Sequence, residues 1–311
     1  MSETWTFKTW DGEEYSLMLT GDDPSGLTYY GRYQLLKGAR GHHGMPVTFT
    51  ADRIPYKDGE EIGEEYRPPR ELYMPMRIQG KNPSEFTANK NKIRRSFNPR
   101  KQLQLWITNE QGDTRVFYGR YQGGFDEAVD DWTRAPTWIS IPLKVICHDP
   151  YCYDIPGNEI EHTVGFTVPT VPYFDANPWF SNPWRLGNSS VDNTWNIVND
   201  GDFEAYPIWT VTGPGSAPYF ENVTTGKYLA LNYTLAEGEQ IIIDTRENTH
   251  TVEGSTDGWV TSTNLRKYLD KDMRDWFPLE VGSNEITVLL RQGSTGGSAV
   301  SFSFLKRFEG V

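Results

Sequence analysis

The spacing of turn signals is the feature that most narrows what this chain can fold into. In its last third, Asn199-Asp200-Gly201-Asp202 supplies residues that tolerate positive φ, so the chain can reverse sharply there. Tyr206-Pro207-Ile208-Trp209-Thr210-Val211 then reads as a β segment whose proline suits an edge or a first strand position. Gly238-Glu239 precedes Ile241-Ile242-Ile243, a β-branched run suited to a buried strand. Pro278-Leu279 and the turn Gly282-Ser283-Asn284 lead into a strand over 285–290. After a glycine-rich loop, Val300, Phe302 and Phe304 alternate with serines, the pattern of a half-buried final strand.

The first half follows the same grammar with one exception. Trp5-Thr6-Phe7 alternates, Asp11-Gly12 is a hairpin dipeptide, and Tyr15 to Leu19 is the expected return strand. Residues 72–79 read as a strand whose Pro75 implies an edge or a bulge. The exception is a helix. Asn82-Pro83-Ser84 offers capping oxygens, and Phe86, Ile93 and Phe97 share one face at i, i+7 and i+11. Asn98-Pro99 ends it, since a residue before proline avoids helical geometry. Leu103, Leu105 and Ile107 then alternate, and Gly112-Asp113 turns the chain into the strand that holds Tyr118-Gly119-Arg120-Tyr121.

A chain of 311 residues is long for one core and comfortable for two. We expect a first domain over 1–153, a Pro/Trp-rich junction over 154–194 and a second domain over 195–311. Pro156, Pro169, Pro172, Pro178 and Pro183 break up any long element in the junction, and Asn177-Pro178-Trp179 repeats as Asn182-Pro183-Trp184. Trp179 and Trp184 either cover apolar surface or dock on a neighbouring protein. A mean hydropathy of -0.62 argues against membrane insertion, and a net charge of -12 against a general nucleic-acid binder. The start of the chain lacks the basic and apolar regions of a signal peptide, so assembly in a cytoplasm is expected. Cys147 and Cys152 are expected to stay free in such a compartment.

No catalytic constellation stands out. The acid pairs Glu60-Glu61, Glu64-Glu65, Asp126-Glu127 and Asp130-Asp131 read as solvated loop charge, because nothing places two of them across a substrate. Asp200-Gly201-Asp202 lacks the oxygen series of a calcium loop. His42 and His43 would point apart on a strand, so no metal site and no cofactor is expected. Charge is distributed unevenly. Residues 81–101 hold seven basic residues against Glu85 alone, a net of +6, while 52–65 and 126–131 each carry -4. A solvated helix face explains this plainly. Complementary contacts between copies, with Arg94, Arg95, Arg100 and Lys101 on one side, are the sharper reading.

The order of turns and strands over the last 110 residues or so resembles the C-terminal domain of the siphovirus-type tail component family, the distal tail proteins of long-tailed phages. In the first half, residues 72–80, the helix, Gly112-Asp113-Thr114-Arg115, Tyr118-Gly119-Arg120-Tyr121, Val145-Ile146-Cys147 and Asp149-Pro150-Tyr151 resemble that family's belt domain. The resemblance implies a mostly-β chain: a β-sandwich or split-barrel belt domain with one helix, then a galectin-like β-sandwich. It also implies a non-enzymatic virion protein at the tail tip. Six copies would form a ring that joins the tail tube to the adsorption apparatus and lets DNA pass. Its partners would be itself, the tail tube protein, a tail-associated tip protein and the tape measure protein. The alternative is a carbohydrate-binding, receptor-binding β-sandwich protein, with Trp179, Trp184, Trp195 and Trp259 as candidate sugar platforms.

Overall fold

The computed structural model describes residues 3–19, 32–53, 58, 60–125, 134–165, 190–247, 249–291 and 297–311. Two compact units divide the chain: Met1–Ile155 with Arg307–Val311, and Pro156–Lys306.

Hydrogen-bonded strands dominate the first unit. They are β1 (Thr4–Lys8), β2 (Glu14–Leu19), β3 (Tyr33–Leu35), β4 (Thr48–Arg53), β5 (Glu60–Tyr66) and β6 (Arg70–Gln79), then, after helix α1 (Pro83–Ser96), β7 (Leu103–Thr108), β8 (Thr114–Gly123), β9 (Arg134–Ala135), β10 (Trp138–Cys147) and β11 (Cys152–Tyr153). The main sheet runs β8-β7-β1-β2-β3-β6-β10, and β10 pairs again with β8, so the sheet closes on itself. Closure turns one face inward on every strand. Trp5 and Phe7, Leu72, Met74, Met76 and Ile78, Leu103, Leu105 and Ile107, and Leu143 and Val145 alternate with outward residues and form one buried cluster. Helix α1 adds Phe86 and Ile93 to that cluster, and Phe97, the C-cap that follows it, joins them. The ring of Phe97 meets Phe7 edge-on at 5.1 Å. Two polar contacts fix the helix against the sheet: Asn89 Nδ2 donates to the Gln79 carbonyl at 2.8 Å, and the Tyr15 and Ser96 hydroxyls bond at 2.7 Å.

Strand β6 differs from its expected edge position. It is central, paired with β10 along its whole length and with β3 on the other side. Pro75 is tolerated because it lies opposite Pro142, and its own carbonyl accepts the Leu36 N–H at 2.8 Å. Its backbone polar side therefore faces away from β10, and neither proline removes a donor that the other strand needs.

The seam depends on β8. Residues 114–119 of that strand pair with β7, and residues 120–123 pair with β10. The change of partner falls at Gly119, where an added Cβ would lie 2.5 Å from Val145 Cγ1 and 3.1 Å from the Ile146 oxygen. Only a bare Cα lets the second partner approach.

The second unit is a two-sheet sandwich. Its strands are β12 (Ile160–Gly165), β13 (Ser190–Asn199), β14 (Ile208–Thr212), β15 (Gly215–Asn222), β16 (Lys227–Leu231), β17 (Thr234–Leu235), β18 (Gln240–Asp244), β19 (Thr251–Ser255), β20 (Thr263–Asn264), β21 (Leu269–Arg274), β22 (Gly282–Arg291) and β23 (Ala299–Phe304). A last short strand, β24 (Arg307–Phe308), belongs to the first unit and pairs with β11. One sheet of the sandwich runs β12-β23-β14-β18-β19-β20; the other runs β13-β22-β15-β16-β21, with β17 on β15. Trp209 of β14 joins the layers. Its ring lies 4.7 Å from Phe302 in its own sheet and 4.6 Å from Phe220 in the other. Pro207 sits just before β14, as the turn-and-strand reading expects, and Ile241 to Ile243 form the buried β18.

The turn signals that opened the sequence reading also acquire a cause. Asn199, Asn222 and Asn284 are fully buried near one end of the second sheet. Asn199 Nδ2 donates to the Leu279 and Phe203 carbonyls, Asn284 Nδ2 to the Glu280 and Gly282 carbonyls, and Asn222 Nδ2 to Asn284 Oδ1 at 3.2 Å. Leu279 also bridges Ala205 through two backbone hydrogen bonds, and the asparagines add side-chain bonds that hold the irregular segments beside it. A buried amide left unpaired costs about 1–3 kcal/mol, so each asparagine is tied to its turn.

The expected junction over 154–194 is thus interrupted at both ends. Ile160–Gly165 pairs with β23 along its full length, and β13 begins at Ser190. Proline density masked the alternation of Ile160, His162 and Val164, which turn toward the sandwich core. Trp179 and Trp184 lie outside the described residues.

Two outcomes follow from this architecture. Gly119→Val should destabilise the first unit by about 1–3 kcal/mol through overpacking at the seam; thermal denaturation would register this, and an unchanged melting temperature would mean the seam yields freely. A chain cut to 156–306 should fold, whereas one cut to 190–306 lacks β12, leaves the edge of β23 open and should be less stable or aggregate. Equal melting of the two truncations would show that β12 is dispensable.

Candidate assembly surfaces

The basic segment is built on α1. Asn82 Oδ1 accepts the Glu85 N–H at 2.8 Å, and Glu85 Oε2 accepts the Lys81 N–H at 3.0 Å, so the first turn is capped from both directions. Phe86, Asn89, Ile93 and Ser96 take the buried face, which leaves Arg94 and Arg95 of the last turn in solvent. A turn then closes on Asn98, whose carbonyl accepts the Lys101 N–H and whose side chain accepts the Arg100 N–H, both at 3.0 Å. Arg100 and Lys101 therefore follow directly on the helix end.

The cations are not equivalent. Lys92 pairs with Glu13 at 2.5 Å, which raises its pKa, and Lys101 lies over the exposed Trp10 ring at 5.7 Å. Arg94, Arg95 and Arg100 are exposed and make no ion pair among the described residues. Arg94 and Arg95 do complement the negative end of the helix dipole, a contribution of about 0.3–1 kcal/mol at an exposed site.

Opposite charge is found on β4 and β5, which pair only with each other among the described residues. A lone two-stranded hairpin is marginally stable in water. This one also exposes Phe49 (52%) and Tyr66 (54%). Phe49 lies opposite Glu65 and Tyr66 opposite Thr48, so the two exposed aromatics are on opposite faces of the hairpin. Glu64 and Glu65 are exposed too, with Arg67 2.9 Å from Glu65. Residues 126–131, the second acidic stretch, lie outside the described residues.

The remaining candidates separate. Trp195 of β13 packs on Phe302 at 5.3 Å and on His162, while the Trp259 indole N–H bonds to Gln240 of the other sheet at 2.9 Å. They do not make a shared aromatic platform. Asp200 pairs with Lys306 at 2.7 Å beside the Asn199 turn. Cys147 and Cys152 are buried thiols not joined in a disulfide, and burial pushes the Cys147 thiol up to about 12. His42 and His43 do not point apart. They lie in a bend rather than a strand, and their ring centroids are 3.9 Å from each other. The flanking Gly41 and Gly44 mark a flexible stretch in the sequence, but the expectation that adjacent histidines point apart holds only for a strand, and Glu3, the third group at the site, gave no sequence signal.

Comparison with known proteins agrees with this architecture. Residues 200–308 match the family model of the siphovirus-type tail component, C-terminal domain. A search of curated proteins finds no match. Among solved structures, the chain is similar to the SPP1 Dit (gp 19.1) protein, described as a paradigm of the hub adsorption apparatus in phages that infect Gram-positive bacteria. The TM-score is 0.64 at 13% identity, covering 99% of this chain and 100% of that one. It is also similar to a chain of the phage P2 baseplate in its activated conformation with Ca, at TM-score 0.53 and 12% identity, and with Sr, at TM-score 0.54 and 12% identity, each over 100% of both chains. Residues 200–308 thus match the siphovirus-type tail component C-terminal domain, and the chain has, over nearly its whole length, the fold of the SPP1 Dit protein.

Proposed function

We propose that this chain is a structural hub protein at the distal end of a phage tail. In this reading six copies close into a ring that joins the tail tube to the tip and its adsorption apparatus, and DNA passes through the centre. Its neighbours are further copies of itself, the tail tube protein, a tail-associated tip protein and the tape measure protein. The observation that carries the reading is the likeness to the SPP1 hub protein over 99% of the chain, joined to the family domain at 200–308. Function here is assembly, and the relevant energies are those of interfaces between copies. A ring is the closed solution for a head-to-tail contact, because each copy uses both of its complementary patches.

The patches we assign are the cationic end of α1 on one copy and the acidic β4–β5 hairpin of the next. Arg94, Arg95 and Arg100 are exposed without ion pairs among the described residues, and the hairpin offers Glu64 and Glu65 beside Phe49 and Tyr66. The aromatics would supply affinity when buried, while the charges set register. Trp179 and Trp184 remain candidate contacts with a neighbouring protein.

Exposed ion pairs contribute about 0–1 kcal/mol each, so single charge changes should have little effect. Reversing Arg94, Arg95, Arg100 and Lys101 together to Glu should lower the oligomer mass in solution, with melting lowered only by the loss of about 1–2 kcal/mol at the helix C-terminus. An oligomer that persists returns the basic segment to the status of a solvated face. Phe49→Ser with Tyr66→Ser tests the hairpin separately. Both side chains are about half exposed, so folding should change by about 0.5 kcal/mol or less, and assembly should weaken much more. If neither assembly nor melting responds, the hairpin is not a contact.

A further inference from the structure

Glu3, His42 and His43 meet at one place in the first unit. Glu3 immediately precedes β1, and the two histidines lie in the bend after Arg40, whose backbone bridges Tyr73 of β6. His42 Nε2 is 3.4 Å from Glu3 Oε2, and His43 Nε2 is 3.7 Å from Glu3 Oε1. All three ligand atoms lie within 4.8 Å of one another. Two bonds of about 2.0–2.1 Å at a tetrahedral angle place their outer atoms about 3.3–3.4 Å apart, so the His42–Glu3 separation of 3.4 Å matches an edge of a zinc coordination shell, and the His43–Glu3 separation of 3.7 Å is slightly longer.

The surroundings orient the set. His43 Nδ1 is 3.2 Å from the backbone oxygen of Val311, which can only accept, so Nδ1 carries the proton. In the neutral ring that leaves the Nε2 lone pair facing a carboxylate oxygen, two acceptors with a place for a cation between them. Glu3 is held from its other side by the Trp5 indole N–H, which donates to Oε2 at 3.2 Å. His42 is 5% exposed and packs edge-on against Trp5 at 4.7 Å, so its ring cannot swing away. His43 is open to solvent, which leaves the remaining coordination positions to water.

We propose that Glu3, His42 and His43 bind a first-row divalent transition-metal ion, with Zn²⁺ as the probe, through two imidazole nitrogens and one carboxylate. Two imidazoles select such ions over the oxygen-seeking Ca²⁺ and Mg²⁺. The ion would cross-link three segments far apart in sequence: the entry to β1, the His42-His43 bend and, through His43, the segment ending at Val311. That last segment is already pressed against the bend, since a Cβ at Gly310 would sit 2.0 Å from the His43 oxygen. Two features oppose the ion. The buried Arg70 guanidinium contributes positive charge near His42, and His42 Nδ1 has no partner among the described residues for the proton it must carry when Nε2 is a ligand. The site should therefore bind more weakly than a four-ligand structural zinc site.

The test is calorimetric titration of the full chain, prepared without a histidine tag, with Zn²⁺ and separately with Ca²⁺, alongside thermal melting with each ion. We expect about one Zn²⁺ per chain, a higher melting temperature with Zn²⁺, and no response to Ca²⁺. Glu3→Gln keeps the size of the side chain, and His43→Ala changes an exposed residue, so both variants should fold; each should weaken Zn²⁺ binding by more than about tenfold. His250→Ala, distant in sequence and in the other unit, should bind as the parent does. Absence of stoichiometric Zn²⁺ binding overturns the proposal and leaves the cluster an ordinary histidine–carboxylate ion pair. Binding that survives both Glu3→Gln and His43→Ala, or a preference for Ca²⁺, overturns it equally.

Discussion

Strand β8 changes partner from β7 to β10 along its length, with β11 pairing beside it at Val116, and the closed sheet of the first unit rests on how it does so. Its first six residues complete the ladder with β7, and its last four close the barrel against β10. The two partners can crowd the same backbone only where no side chain intervenes, at Gly119. Closure removes two sheet edges and buries the inward faces of all seven strands, from Trp5 to Val145. It also gives α1 a floor to dock on, and so fixes the side of the helix on which Arg94 and Arg95 emerge.

The second unit solves a different problem. A sandwich has no closure to align its sheets, so the layers are registered by the side chains between them. Trp209 spans the gap, touching Phe302 and Phe220 from opposite layers, and the buried asparagines 199, 222 and 284 bind the irregular segments that leave one end of the second sheet. Each asparagine adds side-chain hydrogen bonds to the backbone pairing there. This gives a physical reason for the turn residues in the family-matched region: they are set by a buried hydrogen-bond arrangement as much as by backbone conformation.

The surfaces available for assembly are those the internal packing leaves unsatisfied. Lys92 and Lys101 spend part of their charge on Glu13 and Trp10, whereas Arg94, Arg95 and Arg100 have no such partner among the described residues. Among the described residues the β4–β5 hairpin pairs with no other strand, and it carries aromatics on both faces. In the proposed hub function, such surfaces are where folding alone does not complete the burial.

Local sequence determined the parts of this protein whose cause is local. Alternation in residues 103–107 and 300–304 specified strands, the i, i+7, i+11 spacing of Phe86, Ile93 and Phe97 specified one helix with its buried face, and the turn residues divided the rest into short strands. The mostly-β class follows from that pattern. Tertiary structure decided everything that depends on a distant partner. Pro75 marked an edge by its own chemistry, yet β6 is central because Pro142 lies opposite it. Ile160–Gly165 was hidden among prolines and became a strand because β23 offered an edge. Two histidines that strand geometry would separate were brought together over Glu3 by a bend, forty residues away in sequence and hydrogen-bond close in space. Periodicity encodes which face of an element is buried, but it carries no information about what that face will meet, and pairing between distant segments is settled only when the chain has closed.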